Sequence, residues 1–444
     1  LFDMGEQKEA VEHFIRALKN NPNSAKALAG LGRAMLREDK IGKAAGYIEK
    51  ALSLAPWDPH AHMAMAGLHE VRNEPGESEA EWQYVIEHWP RMPDGHIGLA
   101  THYTGREDYD SARAAYRHAE ENNAISPRLY NSWSQMEEHL NNLDDAEKYA
   151  RKTVELDPGF PGLKILQATL ARRRKDFSTA LEILQQVDAD AIAIKQTKST
   201  YLFELGNVQD KLGNYREALA AYKEANDIKN HFVGRVIDET DDNNQFETLR
   251  KVFSRDNGQR LAQLCDADEA VSPQPVFIVG FPRSGTSLLE QILGSHREIA
   301  PAGELTYILR SADTEAARLT GSKQPFPALI LDDEHPLDRT TVHALRDYYL
   351  TSATSKAVGV DGNTRWITDK MPHNAKYVGL IRMLFPKSPI IHISRHPLNP
   401  CLSAYFSNFK SSHRYTSSLE ATAMHYRNMM DMLDHYLDIG IDFM

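Results

Sequence analysis

Two stretches of the chain carry side chains whose type and spacing suit the gripping of an oxyanion. In the first, Gly280-Phe281-Pro282-Arg283-Ser284-Gly285-Thr286-Ser287, two glycines frame a cation and are followed by further hydroxyls. The glycine spacing is that of a Walker loop, yet Thr286 stands where a nucleotide-binding loop has the lysine that reaches the β and γ phosphates. Arg283 supplies a cation earlier in the loop and, with Ser284, Thr286 and Ser287, suits an anion held without a metal ion. In the second stretch, Ser394-Arg395-His396-Pro397 is followed by Ser403, eight residues beyond Arg395. An arginine there can grip a phosphate through two parallel N–H donors, and a hydroxyl two helical turns on can add to the grip. A Walker B strand would end in an aspartate for magnesium. This one ends Ser-Arg, a second count against an NTPase.

Each stretch needs a strand behind it and a helix in front. Val276 to Gly280 is a short apolar run rich in β-branched residues, bounded by Pro275, and reads as a buried parallel strand. Leu288-Leu289-Glu290-Gln291-Ile292-Leu293 follows at helical spacing, so unpaired loop N–H groups and the positive helix end converge on one point. Pro389 to Ser394 reads as a second apolar strand and Leu398 to Phe409 as its helix. Ligands of open α/β sheets lie at the carboxyl ends of strands, which places Arg395 on the same rim as the first loop.

Upstream, the sequence repeats with a period of 34. Proline recurs at Pro22, Pro56, Pro90 and Pro158, with Ala124 in the slot between. A small residue recurs at Ala10, Ala44, Ser78, Ala112, Ala146, Ala180 and, after a short insertion, Ala218. Four positions after most of these stands a bulky side chain, among them Phe14, Ile48, Trp82 and Tyr222, so both kinds share one helical stripe. Small positions let two helices approach, large ones fill the groove, and proline ends the second helix. The pattern resembles the tetratricopeptide repeat, with about seven copies over 1–228, the first lacking its opening helix. Such arrays present a concave surface to a peptide; serving only as a spacer or dimerisation platform is the other reading. Residues 229–274 break the repeat with the acidic stretch 238–244 and a helical segment, and Ser272-Pro273-Gln274-Pro275 opens a domain over 275–444.

Composition narrows the function classes. The 444 residues carry a net charge of −11. Residues 271–444 hold 17 basic and 17 acidic side chains, so the whole excess is N-terminal. An acidic surface repels phosphates, which argues against nucleic acid as a partner. No apolar run is long enough for a transmembrane helix. Cys265 and Cys401 read as two ordinary thiols of a reducing compartment, hence a cytoplasmic setting. The first residue is Leu1 and the last Met444, so both ends read as cuts.

The two anion motifs, in this order, resemble the cytosolic-type and tyrosylprotein-type sulfotransferases that use 3′-phosphoadenosine 5′-phosphosulfate. The likeness is nearest to bacterial fusions of tetratricopeptide repeats with a sulfotransferase domain. It covers roughly residues 275–410 and implies a P-loop-like, three-layer α/β fold with a mostly parallel sheet. By that resemblance Arg283, Ser284, Gly285, Thr286 and Ser287 form the 5′-phosphosulfate loop, and Arg395 with Ser403 the 3′-phosphate pair. It further implies that Glu304, in Gly303-Glu304, is the base and that Lys370, in Asp369-Lys370-Met371-Pro372, sits by the sulfuryl group; Asp369, next door in sequence, reads as no more than its pairing partner. The cytosolic branch uses a histidine base. His373, opening a helix to Leu384, is placed to face substrate, His396 to orient Arg395, and His392 reads as a hydrogen-bonded core residue. The family also continues beyond its last helix, here Leu419 to Leu437, into another strand and a closing loop, so the domain reads as truncated.

The expected activity is transfer of a sulfuryl group to a hydroxyl without a metal. A general base and charge stabilisation on the leaving oxygen would do the chemistry, with Arg283, Glu304 and Lys370 as catalytic groups. The resemblance favours tyrosine of a peptide presented by the repeats, with a carbohydrate or small phenol as alternative acceptors and a homodimer as a possible assembly. A P-loop kinase or nucleotidase, and a repeat adaptor with an inactive α/β domain, are the competing readings.

Overall fold

The computed structural model describes residues 7–37, 40–72, 74–106, 108–160, 162–192, 194–233, 239–264, 271–409 and 411–444. Cys265 and Asp238, the start of the acidic stretch, lie outside the described residues. Two compact units meet in the chain between Phe232 and Val233.

Among the described residues, every regular element of the first unit is helical. Helix Gln7–Asn20 precedes six pairs, from Ala25–Arg37 with Ile41–Leu54 to Lys195–Leu212 with Tyr215–Val233. Every small residue of the repeated stripe, from Ala10 to Ala218, is buried. The bulky residue four positions on explains why. A Cβ on Gly32 would stand 2.4 Å from Ile48, one on Gly98 2.2 Å from Trp82, and one on Gly206 2.6 Å from Tyr222. The ring or branch of one helix therefore lies directly on the backbone of another. Gly98→Ala should destabilise the unit by about 1–3 kcal/mol, because overpacking at the indole outweighs the ~1 kcal/mol helix propensity that alanine brings. The urea midpoint of the variant should fall; a rise would remove this account of the stripe.

Among the described residues the second unit is built on four parallel strands, β1 (Gln274–Gly280), β2 (Ile299–Pro301), β3 (Trp366–Asp369) and β4 (Ile390–Ile393), in the order β2-β3-β1-β4. Val276 to Gly280 are all buried, as an apolar run in a central strand requires. Phe277 is in register with Asp369, Gly280 with Ile393, and Pro301 with Thr368, so all four strands end at one edge. Helices Arg339–Lys356, Val378–Leu384 and Leu419–Asp438 supply Tyr349, Ile381 and Tyr436 to the core beside Phe277.

Three local expectations are corrected. The helix expected over Leu398 to Phe409 ends at Tyr405, where the Ser407 hydroxyl donates to the Ser403 carbonyl at 2.7 Å and competes with the next helical bond. The helix expected from His373 begins as a 3-10 segment, Pro372–Tyr377, and turns α-helical only at Val378. The segment between repeat and sheet is no mere connector: Phe246, Leu249, Val252 and Phe253, from helix Glu239–Val252 and its end, are buried in the core of the second unit. Phe253 lies so close to Gly379 that a Cβ there would be 2.5 Å from its ring. Beyond the last helix, His392 N–H donates to the Met444 carbonyl at 2.7 Å and Met444 N–H to Ile390 at 2.9 Å, so Met444 lies along the outer edge of β4.

Candidate active site

The candidate groups leave the sheet in a row. Glu304 follows β2, Lys370 follows β3, the Arg283 loop follows β1 and Arg395 follows β4. Strand order thus sets them along one rim, although they lie far apart in sequence.

The β1 loop turns on unusual backbone. Gly280 crosses β4 so closely that a Cβ would meet the Ile393 carbonyl at 2.5 Å. Arg283 has φ +72° and Gly285 φ +106°. A non-glycine residue in the left-handed region is uncommon and strained, and such strain gathers at functional loops. Ser284 is buried and its Oγ has no hydrogen-bond partner in the protein, while Thr286 is buried and Ser287 exposed at the helix start. A buried hydroxyl in a loop beside a helix N-terminus, with an arginine next to it, fits a phosphate-bearing ligand.

Arg283 Nε donates to Ser403 Oγ at 3.0 Å. The two anion motifs, 120 residues apart, are therefore in direct contact. Arg395 is exposed, and its carbonyl accepts from the Tyr426 hydroxyl at 3.4 Å. The Tyr426 ring packs on Phe281 at 5.2 Å between centroids, so this tyrosine buttresses both loops. No motif pointed to Tyr426; only its place on helix Leu419–Asp438 reveals the role.

Lys370 is buried, and its Nζ donates to Glu304 Oε1 at 2.6 Å; the carboxylate itself is exposed. The Lys370 N–H donates to the Gly303 carbonyl at 2.9 Å, joining the ends of β2 and β3. Asp369 does not pair with Lys370. Alternation along the strand turns it into the core, where Tyr349 OH donates to it at 2.9 Å and Asn374 Nδ2 at 3.2 Å.

Burial pushes the Asp369 carboxyl up to about 7, with the neighbouring Glu290 charge adding to the rise. Its stabilising share is complete below the unfolded value of 3.8 and is lost as pH rises through about 7. Asp369→Asn cannot titrate, so relative to the parent it should gain stability between pH 5 and pH 8, measured by urea unfolding at both. An unchanged difference would mean that Asp369 stays ionised throughout.

The histidines divide. His373 is held down to about 3, chiefly by burial and then by His413 and His425, and its Nε2 lies 3.0 Å from the Tyr415 hydroxyl. Tyr415 stacks on His425 at 4.0 Å, and His425 Nδ1 contacts Asp242 at 2.8 Å. His392 departs from expectation: its buried Nε2 has no hydrogen-bond partner, and the ring meets Phe443 edge-on at 6.0 Å. His396 is exposed beyond β4. Among the described residues, no cluster of three His, Cys, Asp or Glu side chains could hold a metal ion, and no helix is long and apolar enough to cross a membrane.

At its strand ends the parallel sheet thus gathers a glycine-bearing loop, a second arginine and a lysine–carboxylate pair. Residues 275–442 match the sulfotransferase family, and residues 1–68, 97–161 and 199–232 match tetratricopeptide repeats. The chain therefore joins a tetratricopeptide-repeat array to a sulfotransferase-family domain. An uncharacterized protein of Aquifex aeolicus (strain VF5) is 28% identical over 278 residues, 62% of this chain and 34% of that one. This chain spans about a third of that relative's length. Among solved structures, the APC/C hetero-tetramer Cut9-Hcn1 is similar at TM-score 0.43 and 16% identity, covering 52% of this chain and 46% of that one. A tetratricopeptide repeat protein from Parabacteroides merdae ATCC 43184 follows at TM-score 0.37 and 18% identity, covering 51% and 88%.

Proposed function

We propose that the second unit transfers a sulfuryl group from 3′-phosphoadenosine 5′-phosphosulfate to an acceptor hydroxyl, and that the repeats recruit a peptide carrying it. The observation that carries the reading is the contact of Arg283 with Ser403 on a rim that also holds Arg395, Lys370 and Glu304. One small ligand with a phosphate at each end suits two arginines set on neighbouring strands.

The roles follow from chemistry. The loop amides, Arg283 and the Ser284 hydroxyl would hold the 5′-phosphate, and Arg395 and Ser403 the 3′-phosphate. Glu304 would take the acceptor proton as the new O–S bond forms. Lys370 would stabilise charge on the bridging oxygen as the old S–O bond breaks and its electron pair leaves with the 5′-phosphate. No atom changes oxidation state. Lys370 Nζ donates to Glu304 Oε1 in the free protein, so a shift of the ammonium toward the bridging oxygen would release the carboxylate as the lysine meets the leaving group.

A tyrosine-bearing peptide is the acceptor this reading favours. A cavity of about 380 Å³ in the repeat unit, lined by Met63, Trp82, Ile97 and Arg128 among others, offers both apolar and charged contacts to such a chain. Calorimetric titration with 3′-phosphoadenosine 5′-phosphate, with ATP·Mg as control, tests the donor. Binding of the bisphosphate that survives a chelator supports the reading; preference for ATP·Mg would replace it with a kinase or nucleotidase. Labelled donor offered to peptides, carbohydrates and phenols tests the acceptor.

A further inference from the structure

We propose that Glu290 is a positioning residue that sets the Glu304–Lys370 pair by bracing the ends of β2 and β3 against the helix behind the anion loop. The inference rests on the reading of Glu304 and Lys370 as the reacting pair. Glu290 lies four residues into the helix Thr286–Gly294 and is 8% exposed. One of its oxygens, Oε1, accepts the Gly303 N–H at 3.0 Å and the Thr368 hydroxyl at 2.8 Å. Gly303 immediately precedes Glu304, and Thr368 lies two residues before Lys370. The Gly303 carbonyl then accepts the Lys370 N–H at 2.9 Å.

Packing alone does not hold this corner. Gly303 has φ +71°, and nothing lies within 4 Å of where its Cβ would be. The sheet does not depend on the brace, since Thr368 is already in register with Val276 on one side and Pro301 on the other. What the carboxylate adds is the orientation of the Gly303 peptide, and through it the direction in which Glu304 leaves the strand. A hydrogen bond to a buried carboxylate is stiff in a low dielectric, and misplacing a reacting group by about 1 Å can cost about 10²-fold in rate.

Reach and charge separate in two variants of the full chain. Glu290→Gln keeps the length and an acceptor oxygen but loses the charge; Glu290→Asp keeps the charge but is one methylene short. Under the brace, Glu290→Asp should lower kcat by about 10- to 10²-fold, with donor KM and bisphosphate Kd within about threefold of the parent, whereas Glu290→Gln should retain at least about a third of kcat. Should Glu290→Asp not fold, the isosteric Thr368→Val, which removes the one bond that Glu290 accepts from β3, should lower kcat about three- to tenfold. Equal losses in the Gln and Asp variants, or a larger loss in Gln, would overturn the inference. A second readout needs no turnover. Acetylation of Lys370 Nζ by acetic anhydride, followed by mass spectrometry, should speed up several-fold in Glu290→Asp and stay unchanged in Glu290→Gln. If the parent chain itself transfers no sulfuryl group, the functional reading fails, and the labelling rates still decide whether Glu290 sets the pair.

Discussion

Arg395→Ala is expected to weaken binding of 3′-phosphoadenosine 5′-phosphate by about 10- to 10²-fold, because one or two charge-assisted hydrogen bonds to phosphate are worth about 1.5–3 kcal/mol each and every ~1.4 kcal/mol is tenfold. Arg283→Ala should cost a similar factor. The double variant should lose less than the product of the two, since Arg283 contacts Ser403, the residue proposed to share the other phosphate with Arg395. Arg395→Lys should recover only part of the loss, for a point charge cannot reproduce a two-pronged grip. Isothermal titration at fixed ionic strength measures all four. The domain surrounding these arginines is electrically neutral, so local contacts and not long-range attraction must carry the affinity. An Arg395→Ala protein that binds the bisphosphate as the parent does would remove the 3′-phosphate assignment, and with it the distinction from a nucleotide kinase.

Glu304→Gln is expected to lower kcat by about 10²–10⁴-fold, the usual range for losing a general base, while bisphosphate affinity stays within about threefold. The amide can still accept the hydrogen bond that Lys370 Nζ now makes at 2.6 Å, so the variant removes basicity and leaves the corner in place. The Glu304 carboxylate is exposed, whereas His373, the other candidate base, is engaged with Tyr415 and held down to about 3. A group of so low a pKa is a weak acceptor of a phenolic proton. Single-turnover measurement of the sulfated product, with the donor prebound, isolates the chemical step. A Glu304→Gln protein with undiminished single-turnover rate, alongside a His373→Gln protein that is dead, would move the base to the histidine.

The legible features were those written in neighbouring residues. The strand, loop and helix from Val276 to Leu293 form one continuous apolar and glycine pattern, and the repeat announces itself at seven small positions, all of them buried. β2 escaped because three residues ending in Pro301 hold no periodicity. The carboxylates misled for a different reason: Asp369 adjoins Lys370 in sequence, but successive strand residues face opposite ways, so the lysine's partner comes from 66 residues upstream. Glu290 with Thr368, 78 residues apart, and Asp242 with His425, 183 apart, are tertiary contacts that no local pattern encodes.

The aromatic residues contributed by 246–253 carry a practical corollary. Homology alone would tempt an experimenter to express the sheet-bearing half from Gln274 onward, but such a fragment would discard Phe246, Leu249, Val252 and Phe253 and leave the ring-shaped seat against Gly379 vacant. It would also strand His425 and Asn428 without the acid that both now touch. Any excised version of this domain should therefore begin upstream of Glu239.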